Sequence, residues 1–446
     1  MFAKQYADFE RNGDRSVFVR TPCVNNPEVE AETIRRVGRV MEGLSEVRDL
    51  SLFYDWRDEL SVGSFILGTD SCFCTHCMSK MRIWLQSSYG DLDALNAEWG
   101  TSFSTWKDVY PLTTQEALDR RRAGHWNFAP WHDHRAFNDM TFARICGAIK
   151  EEILRHDADG RSGATGTQCP SVYGGYDFSQ IVPVCDWVEA YDFGRSVDLW
   201  RSFKSRRDMP IVKTDFHGTD ARLLEAMLWG YVFQSGGYSG TILWESNSLI
   251  DAKSETLDLT ENAKRRAEVF AGLRGGIPKL LQQCDEVNSP VAVLYSHPSV
   301  NADFITAVAD RWRSVAAWDP ERYPAYACRE AWWKLLEDRG LRPTFVHSRE
   351  VEAGVLIERG VKLLVLPRAI ALSDAEALLH GSHRSVDFPF VSGRQVAIFA
   401  DSGMPSAVIR LIILTAINAS VFCESRPLAR RRSPIMRLYR YIPFSA

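Results

Sequence analysis

Five short runs of apolar and β-branched residues, at 49–56, 161–168, 185–193, 209–216 and 239–246, constrain the fold more than anything else in this chain. Longer stretches separate them, and in 141–156 and 220–233 apolar residues return every three or four positions, the period of a half-buried helix. Strand-like runs alternating with helical ones predict βα units around a parallel sheet. A closed (β/α)8 barrel needs eight strands. Five predict a TIM-barrel domain over residues 1–285 whose first strands precede residue 1. The pattern breaks at Gly275-Gly276-Ile277-Pro278 and restarts with Val291–Tyr295, a helical stretch at 327–339, and the runs 343–346 and 362–367. Continuous apolar strands suit a parallel sheet covered on both faces, which predicts a second α/β unit over residues 286–400. From about His380 the character changes again. The last 21 residues, from Arg426, hold six Arg and no acid, so residues 401–446 read as a basic, disordered tail.

Composition removes several classes of function. A chain of 446 residues with 45% hydrophobic and 25% charged residues is long enough for more than one folded unit and too apolar to be disordered. Lys and Arg number 53 against 57 Asp and Glu, a net charge of -4, which gives no global positive field for nucleic acid or an anionic membrane. The longest apolar stretch, 407–422, is broken by Arg410 and Asn418 and falls short of a membrane span. The opening residues carry Lys4 and acids where a signal peptide would carry an apolar run. A cytoplasmic location is expected, and a reducing compartment suits the cysteine usage.

Cys72, Cys74 and Cys77 form C-x-C-x-x-C, which puts three thiolates within reach of one ion on a tight loop; zinc is the best match, with Cys23 or His76 as the fourth ligand. Three unconnected buried thiols are the other reading. Asp58 and Glu59 follow the first strand-like run, Asp215 follows the fourth and Glu245 the fifth, at the strand ends where barrel enzymes carry chemistry. Two carboxyls facing each other across a barrel mouth could cleave a glycosidic bond as acid/base and nucleophile. Flat rings pack on sugar C–H faces, and Trp126, Trp131, Trp187 and Trp244 lie near expected strand ends or loops.

The stretch Cys72-Phe73-Cys74-Thr75-His76-Cys77, followed by residues 83–103 with Tyr89-Gly90 and Trp99-Gly100, resembles glycoside hydrolase family 42, the β-galactosidases with a trimerisation domain. The resemblance covers roughly residues 15–380. It implies a zinc site made by Cys23, Cys72, Cys74 and Cys77, with Arg20-Thr21-Pro22-Cys23 as the upstream segment and Arg20 a substrate contact. Glu59 then stands at the family's acid/base position and Asp215 at its nucleophile position. Two departures stand out: Asp58 occupies a place where the family usually has Asn, and Asp215 one where it has Glu. Trp244 and Glu245 fall in the last barrel strand, Glu245 being the fallback nucleophile. The second unit resembles the family's flavodoxin-like trimerisation domain, which implies a homotrimer. The family's first barrel strands and its C-terminal β domain have no counterpart, and the change near residue 380 is what a truncated or frameshifted reading frame would give.

Two functions follow. The first is a retaining glycoside hydrolase acting on terminal β-galactosides through Glu59 and Asp215. The second is a non-catalytic remnant, or carbohydrate-binding assembly protein, in which the thiol loop and second unit persist without chemistry. A zinc protein that binds nucleic acid is disfavoured by the net charge.

Overall fold

In the computed structural model the structure describes residues 2–60, 70, 72–167, 176–191, 194–215, 221–234, 240–243, 249–251, 253–308, 324–379, 396–400 and 409–410. All five runs of the first unit are strands: β1 (Tyr54–Asp58), β2 (Ser162–Thr167), β3 (Trp187–Ala190), β4 (Ile211–Asp215) and β5 (Thr241–Leu243). They lie side by side in sequence order, every neighbouring pair parallel. Consecutive parallel strands joined through helices are the repeating unit of a (β/α)8 wall. Strand alternation sorts the side chains into two sets. Tyr54, Val188, Ala190 and Ile211 pack into apolar clusters with the helix layer. Asp55, Glu189 and Thr214 bond across the opposite face, which becomes the inner face of the sheet.

Before β1, and between β1 and β2, the chain builds a helical corner. Pro27–Gly43 (α1) starts on Asn26, whose side chain accepts the Glu28 N–H, with Pro27 where no backbone donor is needed. Thr75–Tyr89 (α2) starts on Cys74, and Leu92–Trp99 (α3) runs from the Asp91 cap to Gly100 in the left-handed conformation. Thr114–Arg122 (α4) carries a reciprocal capping box between Thr113 and Glu116. Ala129–His156 (α5) begins 12 residues before the expected 141–156. Its first half is buried on several sides, so it shows no single apolar stripe, and the three-to-four spacing marks just its second half. The residues that carried the family resemblance are structural here: Leu95 and Trp99 are fully buried, and Tyr89 Oη and Trp99 Nε1 both donate to Asp133 Oδ2, at 2.7 and 2.8 Å.

The second sheet has the order β10-β9-β8-β6-β7, with β6 (Val291–Tyr295), β7 (Thr344–His347), β8 (Leu363–Leu366), β9 (Val396–Ala400) and β10 (Ile409–Arg410). β6 pairs in parallel with β7 and β8, the 2-1-3 order of flavodoxin-like sheets. The three apolar runs read from the sequence pair in parallel as expected; β9, which is not among them, is antiparallel to β8, so the sheet is mixed. Apolar content alone does not encode a strand's direction. The two sheets share cores: one cluster joins Val188, Trp200 and Ile211 to Val293, Trp333 and Phe345, and another joins α2 to α5 with Val300, Phe304 and Ile305. Of the expected tail, 401–446, the described residues are Ile409–Arg410.

Candidate active site and thiol cluster

Glu59 stands directly after β1 with φ of 50°, a left-handed backbone that costs a non-glycine residue about 1–2 kcal/mol. Its N–H bonds Thr165 O at 3.0 Å, and Tyr191 Oη donates to its Oε1 at 2.9 Å. Strain of this kind persists where the surroundings over-determine it, and it marks functional positions. Beside it the inner face is lined with acids. Asp55 accepts from Thr165 N–H and Oγ1 at 3.1 and 3.0 Å. Glu189, in the middle of β3, accepts from Gly166 N–H at 2.7 Å and from the Thr214 hydroxyl. Burial pushes the Glu189 carboxyl up to about 7; the Gly166 bond opposes this, and the charges of Asp58, Asp55 and Glu59 add to it. Burial and Glu59 also push the Tyr191 phenol up, so it remains a hydrogen-bond donor.

Asp58 ends β1 and is exposed. Asp215 ends β4, its backbone in register with Leu243. Trp244 and Glu245 lie outside the described residues. Of the other rings, Trp126 is 48% exposed ahead of α5. Trp131, expected in a loop, lies within α5, 1% exposed and stacked on Phe304, and is a core residue. Trp187 is buried, stacked on Phe53 and donating to Tyr54 O. Glu189, Tyr191 and Asp55 went unweighed in the sequence reading. The available signal was Glu189 itself, a carboxylate in the middle of the apolar run 185–193.

Cys23, Cys72, Cys74 and Cys77 gather at the N-terminus of α2, their sulfurs all within 4.8 Å of one another. Cys23 Sγ is 3.4 Å from both Cys77 Sγ and Cys74 Sγ. Sulfurs about 2.3 Å from one tetrahedral ion would be roughly 3.8 Å apart, so the donor set fits a closed four-thiolate site. His76, the alternative fourth ligand, is exposed. Arg20 N–H donates to Cys72 Sγ and Asn25 Nδ2 to Cys77 Sγ, each at 3.3 Å, the outer bonds that orient metal ligands. The Arg20 guanidinium donates to Asn138 at 3.2 Å, which places Arg20 at the thiol corner. Hydrogen bonds from Cys72 and Cys77 hold Cys23 far below the ordinary thiol value, while the contact with Cys23 pushes Cys72 up to about 12 and the contacts with Cys23 and Cys72 push Cys77 well above the ordinary value.

Residues 20–193 match the family model of the glycoside hydrolase 42 β-galactosidases. A β-galactosidase from Thermus sp. is 34% identical over 95 residues, 21% of this chain and 14% of that protein. One from Clostridium cellulovorans is 23% identical over 265 residues, 52% of this chain and 38% of that protein. The crystal structure of the Marinomonas ef1 β-galactosidase superposes with a TM-score of 0.53 at 14% identity, covering 81% of this chain and 58% of that one. The Halorubrum lacusprofundi β-galactosidase structure gives 0.51 at 15% identity, covering 84% and 61%. The chain thus spans less than two thirds of the length of these relatives, and the structural likeness speaks for the fold, a TIM-barrel domain with further α/β content. The matched stretch, residues 20–193, is less than half of this chain and carries both the thiol corner and Glu59, so the likeness to the glycoside hydrolase 42 β-galactosidases rests on that region.

Proposed function

We propose that this chain is a retaining glycoside hydrolase for terminal β-galactosides, with Glu59 the acid/base and Asp215 the nucleophile. The observation that carries the reading is Glu59: a strained carboxyl at the C-terminal end of a barrel strand, held by a phenol and facing further acids. In the first step the Glu59 carboxyl gives its proton to the glycosidic oxygen as the anomeric C–O bond breaks and an Asp215 oxygen bonds to the anomeric carbon. In the second, Glu59 takes a proton from water, whose oxygen displaces Asp215. Negative charges nearby favour the protonated acid that the first step needs. Asp58, Trp244 and Glu245 are assigned to sugar contact from their places in the sequence, as is Arg20 from the family position. Turnover of a chromogenic β-galactoside by the intact chain, lost in Glu59→Gln, is the expected result. Turnover that survives Glu59→Gln removes the assignment, and a folded chain without turnover favours a non-catalytic, carbohydrate-binding assembly role.

The thiol corner is assigned to one structural Zn²⁺, a closed site with no part in bond cleavage. Elemental analysis should give one zinc per chain, reduced in Cys74→Ser. Residues 1–285 are assigned to the barrel domain, the described strands forming part of its wall, and residues 286–400 to a flavodoxin-like unit that assembles a homotrimer in the cytoplasm. Sedimentation as a monomer at micromolar concentration would remove the assembly.

A further inference from the structure

Hydrolysis by two carboxyls does not use Glu189. This residue is 4% exposed, whereas Asp55 and Asp58 are open to solvent and Glu59 is half-buried. It takes one hydrogen bond from each neighbouring strand, from Gly166 N–H of β2 at 2.7 Å and from the Thr214 hydroxyl of β4. Both donors are neutral. The cation of β4, Lys213, lies on the other face with its ammonium 3.3 Å from the centre of the Tyr231 ring.

Gly166 also serves Glu59. Its φ is 61°, and a Cβ there would come within 2.9 Å of Glu59 Cγ and 2.5 Å of Tyr191 Oη. Any side chain at 166 would displace Glu59 or the phenol that donates to it. One residue therefore holds Glu189 through its N–H and leaves room for Glu59 above its bare Cα. Tyr191, two positions along β3 from Glu189, closes the ring with its bond to Glu59 Oε1.

We infer that Glu189 and Glu59, joined across Gly166 and Tyr191, hold protons as one pair, Glu189 being the positioning residue beneath the acid/base. The inference rests on the reading of Glu59 given above. An acid/base must arrive protonated at the leaving oxygen and lose its proton afterwards. Two close carboxyls, one of them buried, ionise in two separated steps, and the last proton stays in the site to a higher pH than either group alone would keep it. The elevated proton affinity of Glu189 supports this. Among the described residues, the other ionisable groups acting on the pair include Asp55 and Asp58 at β1 and Tyr191 just after β3; the negative charge of Asp55 and Asp58 pushes in the same direction.

The test uses the full chain with ¹³C-carboxyl-labelled glutamate, following the Glu59 and Glu189 resonances against pH beside kcat/KM on a chromogenic β-galactoside. In Glu189→Gln the step near neutrality should vanish, and the Glu59 midpoint and the alkaline limb of kcat/KM should both move down by about one pH unit. Thr214→Val removes a bond that favours the charged Glu189, so the pair should hold its last proton longer and the limb should move up. A folded Glu189→Gln in which Glu59 titrates unchanged overturns the pairing. If that variant does not fold, an unmoved Glu59 titration in Thr214→Val does the same. Activity that survives Glu59→Gln would instead remove the acid/base reading, while the resonance titrations still decide whether the two carboxyls are coupled.

Discussion

The thiol corner and the acidic inner face of the first sheet solve opposite problems with groups of the same kind. At the corner, four groups that would repel one another if ionised are brought together by local sequence, three within six residues, and each outer bond aims a donor at sulfur. One cation at their centre would satisfy all four at once. On the inner face the acids come from β1, the residue after it and β3, and the donors described for them include two backbone N–H groups, hydroxyls and a phenol. Neutral donors leave part of the like-charge repulsion in place, and repulsion is what proton transfer uses. One region is arranged to be stable, the other to be unevenly ionised.

If that contrast holds, the two regions must fail differently. The largest effect is expected at the corner: Cys77→Ser, or removal of metal by a chelator, should lower unfolding stability by at least about 3 kcal/mol in a denaturant melt. The fraction that remains folded should keep its kcat. A melt like that of the unaltered chain would show four thiols that merely fill space. At the inner face the sign of the trade reverses. Glu59→Gln should lower kcat/KM by about 10³-fold, within the range for loss of a general acid, and change stability by less than about 0.5 kcal/mol, since it also removes a negative charge from the cluster. Equal losses of stability at both places would end the comparison.

The same contrast explains what the sequence made readable. Thiol spacing is local, so C-x-C-x-x-C announced the corner; that Cys23 rather than His76 joins it depends on a chain crossing 49 residues upstream of Cys72. All five strands of the first sheet were legible because each is a short apolar run between helices. Glu189 was not, because its role depends on the face of β3 it occupies and on donors from β2 and β4, and pairing between strands is written in no single segment. Trp131 misled for a related reason: the first half of α5 is buried on several sides, which erases the stripe that would have shown a helix there. β9 was not among the runs read from the sequence, and apolar content leaves a strand's direction open.

The smallest predicted effect lies between the two sheets and separates a third kind of buried charge from the first two. His297 follows β6 and is enclosed; its Nε2 meets Asp139 Oδ2 of α5 at 2.7 Å and its Nδ1 meets Tyr295 Oη at 3.0 Å. Among the described residues, the other charged groups around it include Asp177, and His132 and Arg135 on α5. Burial alone would lower its proton affinity, but Asp139 and Asp177 outweigh burial and Arg135, and the net shift is upward. A folded-state value above the unfolded one of about 6.5 means that the folded chain binds the extra proton. Its contribution is therefore complete below about pH 6.5 and disappears as pH rises through the folded-state value. His297→Gln can still donate to Asp139 but carries no charge, so it should cost about 2 kcal/mol at pH 6, the worth of a charge-assisted bond. The deficit should shrink steadily at higher pH. Melts of both proteins from pH 5.5 to 9 measure the difference. A deficit that stays constant with pH would show that His297 is neutral in the fold and that the junction is held by packing and hydrogen bonds alone.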